Sequence, residues 1–148
     1  MTTVRPFSDA LKRLRAVGLR PTRQRLGLAR LLFEAGDRHI TAEALHDEAL
    51  QAGIRVSLAT IYNTLHQFTT VGLLREVVVE PGKAYFDTNV SDHHHFLVES
   101  SGELLDVAQD SVALLRLPVP PRGTAIRRVD VVIRLAADGP DGLENSSH

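Results

Sequence analysis

Three consecutive histidines, His93, His94 and His95, are the residues of this chain best suited to metal chemistry. Imidazole nitrogen binds borderline divalent metals and can serve as an axial ligand of haem iron. Because successive side chains of a β-strand face opposite ways, a strand here would place His93 and His95 on one side and His94 on the other. One run could therefore serve two sites. The alternative is a solvated polar turn that happens to be rich in histidine.

The chain has 148 residues and contains no cysteine. The lack of cysteine excludes disulfides, thiolate nucleophiles, iron–sulfur clusters and thiolate zinc sites, so nitrogen and oxygen must hold any metal. The length suits one ordinary domain or two small ones. No stretch approaches the roughly 18 apolar residues of a membrane span, and the N-terminus lacks a secretory signal pattern. We expect a cytoplasmic protein that does not associate with membranes.

The net charge of −1 hides a division of the chain into a basic and an acidic part. Residues 1–83 hold 12 Lys and Arg against 8 Asp and Glu, whereas residues 84–148 hold 5 against 10. This asymmetry indicates an anionic partner for the first part and cations for the second, although a solvated helix face gives a similar pattern.

An enzyme with a catalytic metal is the alternative from another functional class. His93, His95 and a carboxylate such as Glu99 or Glu103 could hold the ion, but catalysis also needs an open coordination position and a general base. The sequence contains no HExxH spacing, nucleophile elbow or phosphate loop. We therefore predict that the protein is not an enzyme. A metal-buffering protein would account for the histidines but not for the basic part.

Four short helices are predicted before residue 73, because each apolar run at helical spacing has a capping residue before it and a glycine after it. The predicted caps are Ser8, Thr22, Thr41 and Ser57, and the glycines are Gly18, Gly36, Gly53 and Gly72. A β-hairpin follows, with apolar residues at 77–79 and 84–86 on either side of a Pro81-Gly82 turn. Helices followed by such a hairpin are typical of a winged helix-turn-helix domain, in which the last helix enters the DNA major groove.

The helix that begins after Ser57 would present small, hydroxyl and amide side chains outward. Such groups suit base edges, thymine methyls and phosphates, and a plain solvent-exposed face is the alternative. These residues are Ala59, Thr60, Tyr62, Asn63, His66 and Gln67.

The remaining sequence predicts a small α+β unit. Strands are expected at 96–98 and 104–107, separated by a turn at 100–102, and a last strand is expected from Ile126 to Leu135. A short helix is predicted from Asp110 through Leu117, ended by Pro118. Three strands and one short helix leave apolar surface and a sheet edge, which a symmetric dimer would cover.

Several strings of residues resemble the ferric uptake regulator (Fur) family. They are GLRPTRQR at 18–25, RHITAE at 38–43 and SLATIYNTL at 57–65. The strings YFDTN at 85–89 and DHHHF at 92–96 resemble its iron response regulator (Irr) branch more closely, as does Asn63, where Fur itself usually has arginine. The resemblance covers about residues 8–136.

This resemblance implies a homodimeric transcriptional regulator of iron and haem homeostasis that binds an A·T-rich palindromic iron-control operator in double-stranded DNA. The implied fold class is α+β, with an N-terminal winged helix-turn-helix domain followed by a small α/β dimerisation domain. The expected bounds are residues 1–86 for the DNA-binding domain, about 87–91 for a hinge and 92–136 for the dimerisation and sensing domain. We expect residues 137–148 to be a disordered tail.

The inter-domain regulatory metal site of the family maps onto His39, Asp87, His93, His95 and Asp106. These imidazoles and carboxylates suit Fe²⁺, Mn²⁺ or Zn²⁺. Both aspartates stand where Fur usually has glutamate, which shortens their reach. Without the resemblance, His39 would be assigned a hydrogen bond at a helix boundary.

Two other metal sites of the family are incomplete in this sequence. Val98 and Ser101 stand where the first cysteine pair of the structural zinc site would fall, so that site is absent. A further site maps onto Asp92, His94, Ala113 and Arg128, in which alanine and arginine cannot complete a cation cage. His94 is therefore available for a different role.

Irr-like proteins use the histidine run for haem, which implies that His93, His94 and His95 bind haem here through histidine alone. The alternative is a Fur-type repressor activated by Fe²⁺ or Mn²⁺ with no haem response.

The family's DNA contacts map onto Tyr62 and the nearby residues Ser57, Ala59, Thr60 and Asn63 in the major groove. Arg20 is predicted to enter a narrow, A·T-rich minor groove. A plain phosphate contact is the alternative for Arg20, because most protein–DNA hydrogen bonds go to the backbone.

Overall fold

A computed structural model describes residues 8–80, 82–114 and 116–138, excluding the side chain of Ser8. Four α-helices and six β-strands occur in these parts of the chain, which confirms the α+β class. The helices are α1 (Ser8–Ala16), α2 (Arg23–Phe33), α3 (Ala42–Gln51) and α4 (Leu58–Thr70). The strands are β1 (His39–Ile40), β2 (Arg75–Glu80), β3 (Lys83–Asp87), β4 (His93–Val98), β5 (Glu103–Ala108) and β6 (Val132–Leu135).

The chain divides into two compact units, one ending at Val90 and the other beginning at Ser91. The first unit contains the four helices and strands β1 to β3, and the second contains β4 to β6. The more detailed bounds of 1–86 and 92–136, with a hinge at about 87–91, stay predictions. Beyond Asp138, the tail predicted to be disordered lies outside the described residues.

Three predicted helix caps are present in the first unit. The side-chain oxygens of Thr22, Thr41 and Ser57 each accept a hydrogen bond, at 3.1 Å in every case, from the backbone N–H three residues later. Each such bond satisfies one of the unpaired N–H groups of the first turn and contributes about 1 kcal/mol. The sequence therefore predicted correctly where α2, α3 and α4 begin.

The core of the first unit forms where the apolar faces of all four helices meet the sheet. Its fully buried side chains include Leu14, Leu28, Leu32, Leu45, Ile61, Leu65, Phe68 and Phe86. Gly27 of α2 lies against the segment between α3 and α4, where a Cβ atom would lie 2.8 Å from Cδ1 of Ile54. This close approach fixes α2 beside the segment that leads into α4.

The sheet of the first unit has the strand order β1-β3-β2 and is antiparallel throughout. The hairpin β2–β3 is the predicted wing, with Val77 opposite Tyr85. Strand β1 was not predicted, because two residues are too few to show the alternation that identifies a strand. It pairs with β3 so that His39 lies opposite Asp87.

The sheet of the second unit has the order β5-β4-β6, with β4 at its centre. Strand β4 is antiparallel to β5 and parallel to β6. All three histidines lie in β4 and are at most 6% exposed. The alternative of a solvated polar turn is therefore wrong.

Two predictions for the second unit are also wrong. In place of a helix from Asp110 through Leu117, a 3-10 turn spans Gln109–Ser111, and the described residues 112–114 and 116–117 are irregular. A helix that must stop before Pro118 is too short to be stable without packing, and Leu114 and Leu117 are about half exposed. The last strand is shorter than predicted, because β6 pairs only with the four residues His95–Val98 of β4.

No helix within the described residues is long and apolar enough to cross a membrane.

Candidate metal and DNA-binding sites

In the first unit, a histidine–carboxylate pair forms where β1 lies beside β3. Nε2 of His39 is 3.1 Å from Oδ2 of Asp87, and the Asp87 side chain is fully buried. The other carboxylate oxygen, Oδ1, accepts a hydrogen bond of 2.8 Å from the backbone N–H of Asn89. Because a buried carboxylate must be compensated, Asp87 requires positive charge or hydrogen-bond donors around it. Both roles predicted for His39, metal ligation and a hydrogen bond at a helix boundary, stay predictions.

Arg38 anchors β1 to the helices and was not identified from the sequence. Its guanidinium donates two hydrogen bonds, of 2.9 and 2.6 Å, to the carboxylate of Glu48 in α3, and a third of 3.0 Å to the carbonyl of Leu31 in α2. Its backbone N–H donates to the hydroxyl of Thr88 just after β3. The residue next to His39 is thus held by two helices and the sheet. The bond between Arg38 and Glu48 could not be predicted from the sequence, because ten positions separate them and no local pattern relates residues at that spacing.

Two histidines and one carboxylate form a cluster within the second unit. Pairing of β4 with β5 places His95 opposite Asp106. Nε2 of His93 lies 2.8 Å from Oδ1 of Asp106, and Nε2 of His95 lies 3.6 Å from the same oxygen. The two imidazole rings are 4.5 Å apart between centroids. The predicted sharing of one strand face by His93 and His95 is confirmed.

The hydrogen bonds of His93 define the chemistry of this cluster. Nδ1 lies 2.6 Å from the carbonyl oxygen of Ser91, which can only accept, so Nδ1 carries a proton. In the neutral ring Nε2 would then present a lone pair to the Asp106 carboxylate. Two acceptors at 2.8 Å repel each other unless a proton or a cation neutralises them. Lone pairs and a carboxylate that converge in this way fit a divalent cation.

His94 occupies the opposite face of β4, as predicted. Its Nδ1 accepts a hydrogen bond of 3.0 Å from the backbone N–H of Val131, and the side chain is 4% exposed. In the neutral ring the proton is therefore on Nε2. Arg128, at a position that the family would use for a metal ligand, forms an ion pair of 2.7 Å with Asp130. These contacts distinguish His94 from the cluster of His93, His95 and Asp106.

Helix α4 presents most of the predicted DNA-binding side chains at the surface. Ala59 and Asn63 are exposed, while Thr60 and Tyr62 are partly covered. The Tyr62 hydroxyl donates a hydrogen bond of 2.7 Å to Oε1 of Glu43 in α3. This bond lowers the pKa of Glu43 and raises the pKa of Tyr62, because it stabilises the carboxylate and the protonated phenol. Glu43 was not identified from the sequence, since 19 residues separate it from Tyr62.

Arg20 lies in the exposed loop between α1 and α2, and that loop is linked to α4. The guanidinium of Arg25 donates to the Arg20 carbonyl at 2.8 Å and to Oε1 of Gln67 at 3.0 Å. Arg25 thereby connects the two segments that carry the predicted minor-groove and major-groove contacts. The Gln67 carbonyl is occupied by this bond, so its side chain is less available to DNA than its position suggested.

Comparisons with known proteins identify the family of the chain. The model of the ferric uptake regulator family matches residues 16–132. The ferric uptake regulation protein of Klebsiella pneumoniae is 30% identical over 117 residues, covering 78% of this chain and 76% of the relative. The ferric uptake regulator of Pseudomonas aeruginosa, solved with manganese, is 26% identical with a TM-score of 0.65, covering 88% of this chain and 98% of that one. The ferric uptake regulator from Francisella tularensis, solved with iron, has the same fold, with a TM-score of 0.68 and 17% identity. The match covers 82% of this chain and 93% of that one.

The family match covers most of the chain and supports the predicted role in transcription regulation. Proteins of this family are transcription regulators, so the prediction that the chain is not an enzyme is confirmed. The relatives are named for Fur, and the Irr branch and its haem response stay predictions. The chain belongs to the ferric uptake regulator family, whose members are metal-responsive transcriptional regulators that bind DNA and form dimers.

Proposed function

We propose that this protein regulates genes of iron homeostasis and that a divalent metal bound by His39, Asp87, His93, His95 and Asp106 controls its affinity for DNA. The observation that carries the proposal is the 2.8 Å distance from Nε2 of His93, whose Nδ1 lies against the Ser91 carbonyl, to the Asp106 carboxylate. The His39–Asp87 pair supplies the same two ligand types within the first unit. Three imidazoles and two carboxylates are suited to Fe²⁺, Mn²⁺ or Zn²⁺.

The proposed ligands belong to both units, which suggests how metal binding would act on DNA. His39 and Asp87 would hold the ion from the unit that carries α4, and His93, His95 and Asp106 would hold it from the other. Shared coordination would favour one arrangement of the two units over others, and therefore one spacing of the two α4 helices in a dimer. The metal would supply the positive charge that the two carboxylates require and would accept the imidazole lone pairs.

The proposed DNA interface consists of α4 in the major groove and the α1–α2 loop over the minor groove. Tyr62, Asn63, Ala59 and Thr60 would contact base edges, and Arg20 would enter an A·T-rich minor groove. The link from Arg25 to both segments supports their acting as one surface. A homodimer would bind a palindromic operator, because two-fold protein symmetry requires a two-fold site.

A haem response through His93, His94 and His95 is a second candidate, favoured by the separate position of His94. This histidine faces away from Asp106 and is not used by the proposed metal cluster. Its Nδ1 accepts the Val131 N–H, so ligation of haem iron through Nε2 would require the proton to leave that atom. Haem binding at His94 is therefore expected to disturb the hydrogen bond to Val131.

The test is fluorescence anisotropy of the dimer on an A·T-rich palindromic duplex at fixed salt, first without metal, then with Mn²⁺, then with haem. Asp106→Asn should abolish the response to Mn²⁺, whereas Asp110→Asn, which changes an exposed carboxylate nearby, should retain it. Equal affinity with and without Mn²⁺ would contradict metal control. Weakening by haem that disappears in His94→Ala would establish the second candidate.

A further inference from the structure

We infer that Glu43 of α3 determines specificity together with Tyr62 of α4, so that the pair reads a base amino group in the DNA major groove. This inference rests on the proposed function, in which α4 enters that groove. It adds a residue outside the recognition helix to the reading of the operator. Glu43 would act both as an acceptor in its own right and as the residue that orients Tyr62.

The bond between the two side chains removes the only hydrogen that Tyr62 can donate. A phenol carries one O–H hydrogen, and here it is directed to Oε1 of Glu43 at 2.7 Å. The distance is ordinary for an O–H···O bond, and a bond to an ionised carboxylate is stronger than a bond to a neutral acceptor. The pair therefore presents only acceptors outward, namely the phenol lone pairs and the remaining carboxylate oxygen.

The pair lies where a base edge can approach it. Glu43 is exposed in the first turn of α3, and Tyr62 is partly exposed on α4. Both border a recess of about 360 Å³, which is also lined by Thr41 and by Glu76 and Lys83 of the wing strands. The acceptors are thus situated between the recognition helix and the wing, which are the two elements that a winged-helix domain applies to DNA.

The donors and acceptors on each base determine which bases the acceptors of the Glu43–Tyr62 pair can bind. In the major groove, the exocyclic amino groups of cytosine (N4) and adenine (N6) are donors, whereas guanine O6 and N7 and thymine O4 are acceptors. If the acceptors of the Glu43–Tyr62 pair face acceptor atoms of a base, no hydrogen bond forms and both sets of atoms are left without a donor. The Glu43–Tyr62 pair should therefore favour cytosine or adenine at the base that it meets and should disfavour guanine or thymine there.

The negative charge of Glu43 also affects the overall affinity for DNA, and this effect can be distinguished experimentally from the base preference. A carboxylate near the phosphate backbone weakens binding to every sequence alike, because this repulsion carries no base information. Loss of an acceptor changes the preference at one base pair. Loss of the charge should therefore change the affinity for all DNA sequences equally, whereas loss of the acceptors should change the base preference at one position.

The test is selection of binding sites from a duplex library with a randomised core, using the Mn²⁺-loaded protein. Glu43→Gln keeps the side-chain shape but adds amide donors, so its preference should change at one position of each half-site, toward guanine or thymine. The expected change in relative affinity at that position is on the order of tenfold. Tyr62→Phe should weaken the preference at the same position, because it removes the phenol acceptor and the bond that holds the two side chains together.

Asp47→Asn is the matched control for the loss of charge. Asp47 is exposed one helical turn after Glu43 on α3, and the single hydroxyl hydrogen of Tyr62 is already donated to Glu43. This variant should change affinity evenly and leave the selected sequence unchanged. Circular dichroism of each variant verifies that it is folded.

Two results would overturn the inference while leaving the proposed function intact. The first is that Glu43→Gln selects the same sequence as the unmodified protein. The second is that Glu43→Gln and Tyr62→Phe alter different positions, because the two side chains would then not act as a unit. If the unmodified protein selects no sequence at all, the proposed function itself fails, and the inference fails with it.

Discussion

Nε2 of His93 lies 2.8 Å from Oδ1 of Asp106, while Nδ1 of the same ring donates to the carbonyl of Ser91. In the neutral ring, the bond from Nδ1 leaves the lone pair on Nε2, and the strand pairing directs Nε2 at a carboxylate. The register of β4 and β5 places Asp106 opposite His95, so both imidazoles converge on one oxygen. This relationship lies within the second unit, and it follows from strand pairing between residues about a dozen positions apart.

Asp106→Asn should weaken Mn²⁺ binding at least tenfold, because an amide oxygen lacks the charge that attracts a divalent cation. Isothermal titration calorimetry of the metal-free protein measures the change. Asp110→Asn, in the exposed 3-10 turn, should bind Mn²⁺ as the unmodified protein does. Equal affinity of the Asp106 variant and the unmodified protein would exclude Asp106 as a ligand.

Arg38→Ala should lower the free energy of unfolding by about 1–3 kcal/mol, because it leaves Glu48 and the Leu31 carbonyl without these bonds. The side chains of Arg38 and Glu48 are only 26% and 34% exposed, so water compensates the loss incompletely. Urea denaturation measures the effect.

The control for Arg38 is Arg30→Ala. Arg30 forms an ion pair with Glu34, and both side chains are nearly half exposed. Since exposed pairs contribute little, this change should cost no more than about 1 kcal/mol. An equal loss in both variants would show that the partly buried position of Arg38 gives its bonds no added strength.

Gly27→Ala should be more favourable in an Ile54→Val background than in the natural sequence. Alanine is the better helix former by about 1 kcal/mol, but its Cβ would lie 2.8 Å from Cδ1 of Ile54. Valine lacks that methyl group and removes the contact. A double-mutant cycle of thermal unfolding measures the coupling, and strictly additive effects would contradict the close packing of α2 on Ile54.

Glu43→Gln should lower the pKa of Tyr62 toward its ordinary value of 10.0, because the hydrogen bond to the carboxylate is the main cause of its elevation. Ultraviolet titration of the phenol measures this in a Tyr85→Phe background, which leaves Tyr62 as the only tyrosine.

The same bond gives stability a defined pH dependence. The lowered pKa of Glu43 means that its contribution is present above the ordinary carboxyl value of 4.5 and is lost as the pH falls through the folded-state value. The raised pKa of Tyr62 means that its contribution is present below 10.0 and is lost as the pH rises through the folded-state value. Glu43→Gln should flatten both limbs of the stability profile, and an unchanged profile would contradict the pairing.

The local features of the first unit could be predicted because they depend on neighbouring residues. Thr22, Thr41 and Ser57 cap their helices through bonds that reach only three residues along the chain. The wing follows from two apolar runs on either side of a short turn. The predicted helix at 110–117 failed because its stability would have required packing partners, which local spacing does not reveal.

The residue types available to each site are evident from the amino-acid chain alone, since it contains no cysteine and places three histidines in one run. Folding brings particular members of this set into contact. It pairs His39 with Asp87, directs His93 and His95 to Asp106, turns His94 to Val131 and joins Tyr62 to Glu43. The physical reason is that strand register and helix packing bring distant positions within bonding distance, and neither can be read from a single local pattern.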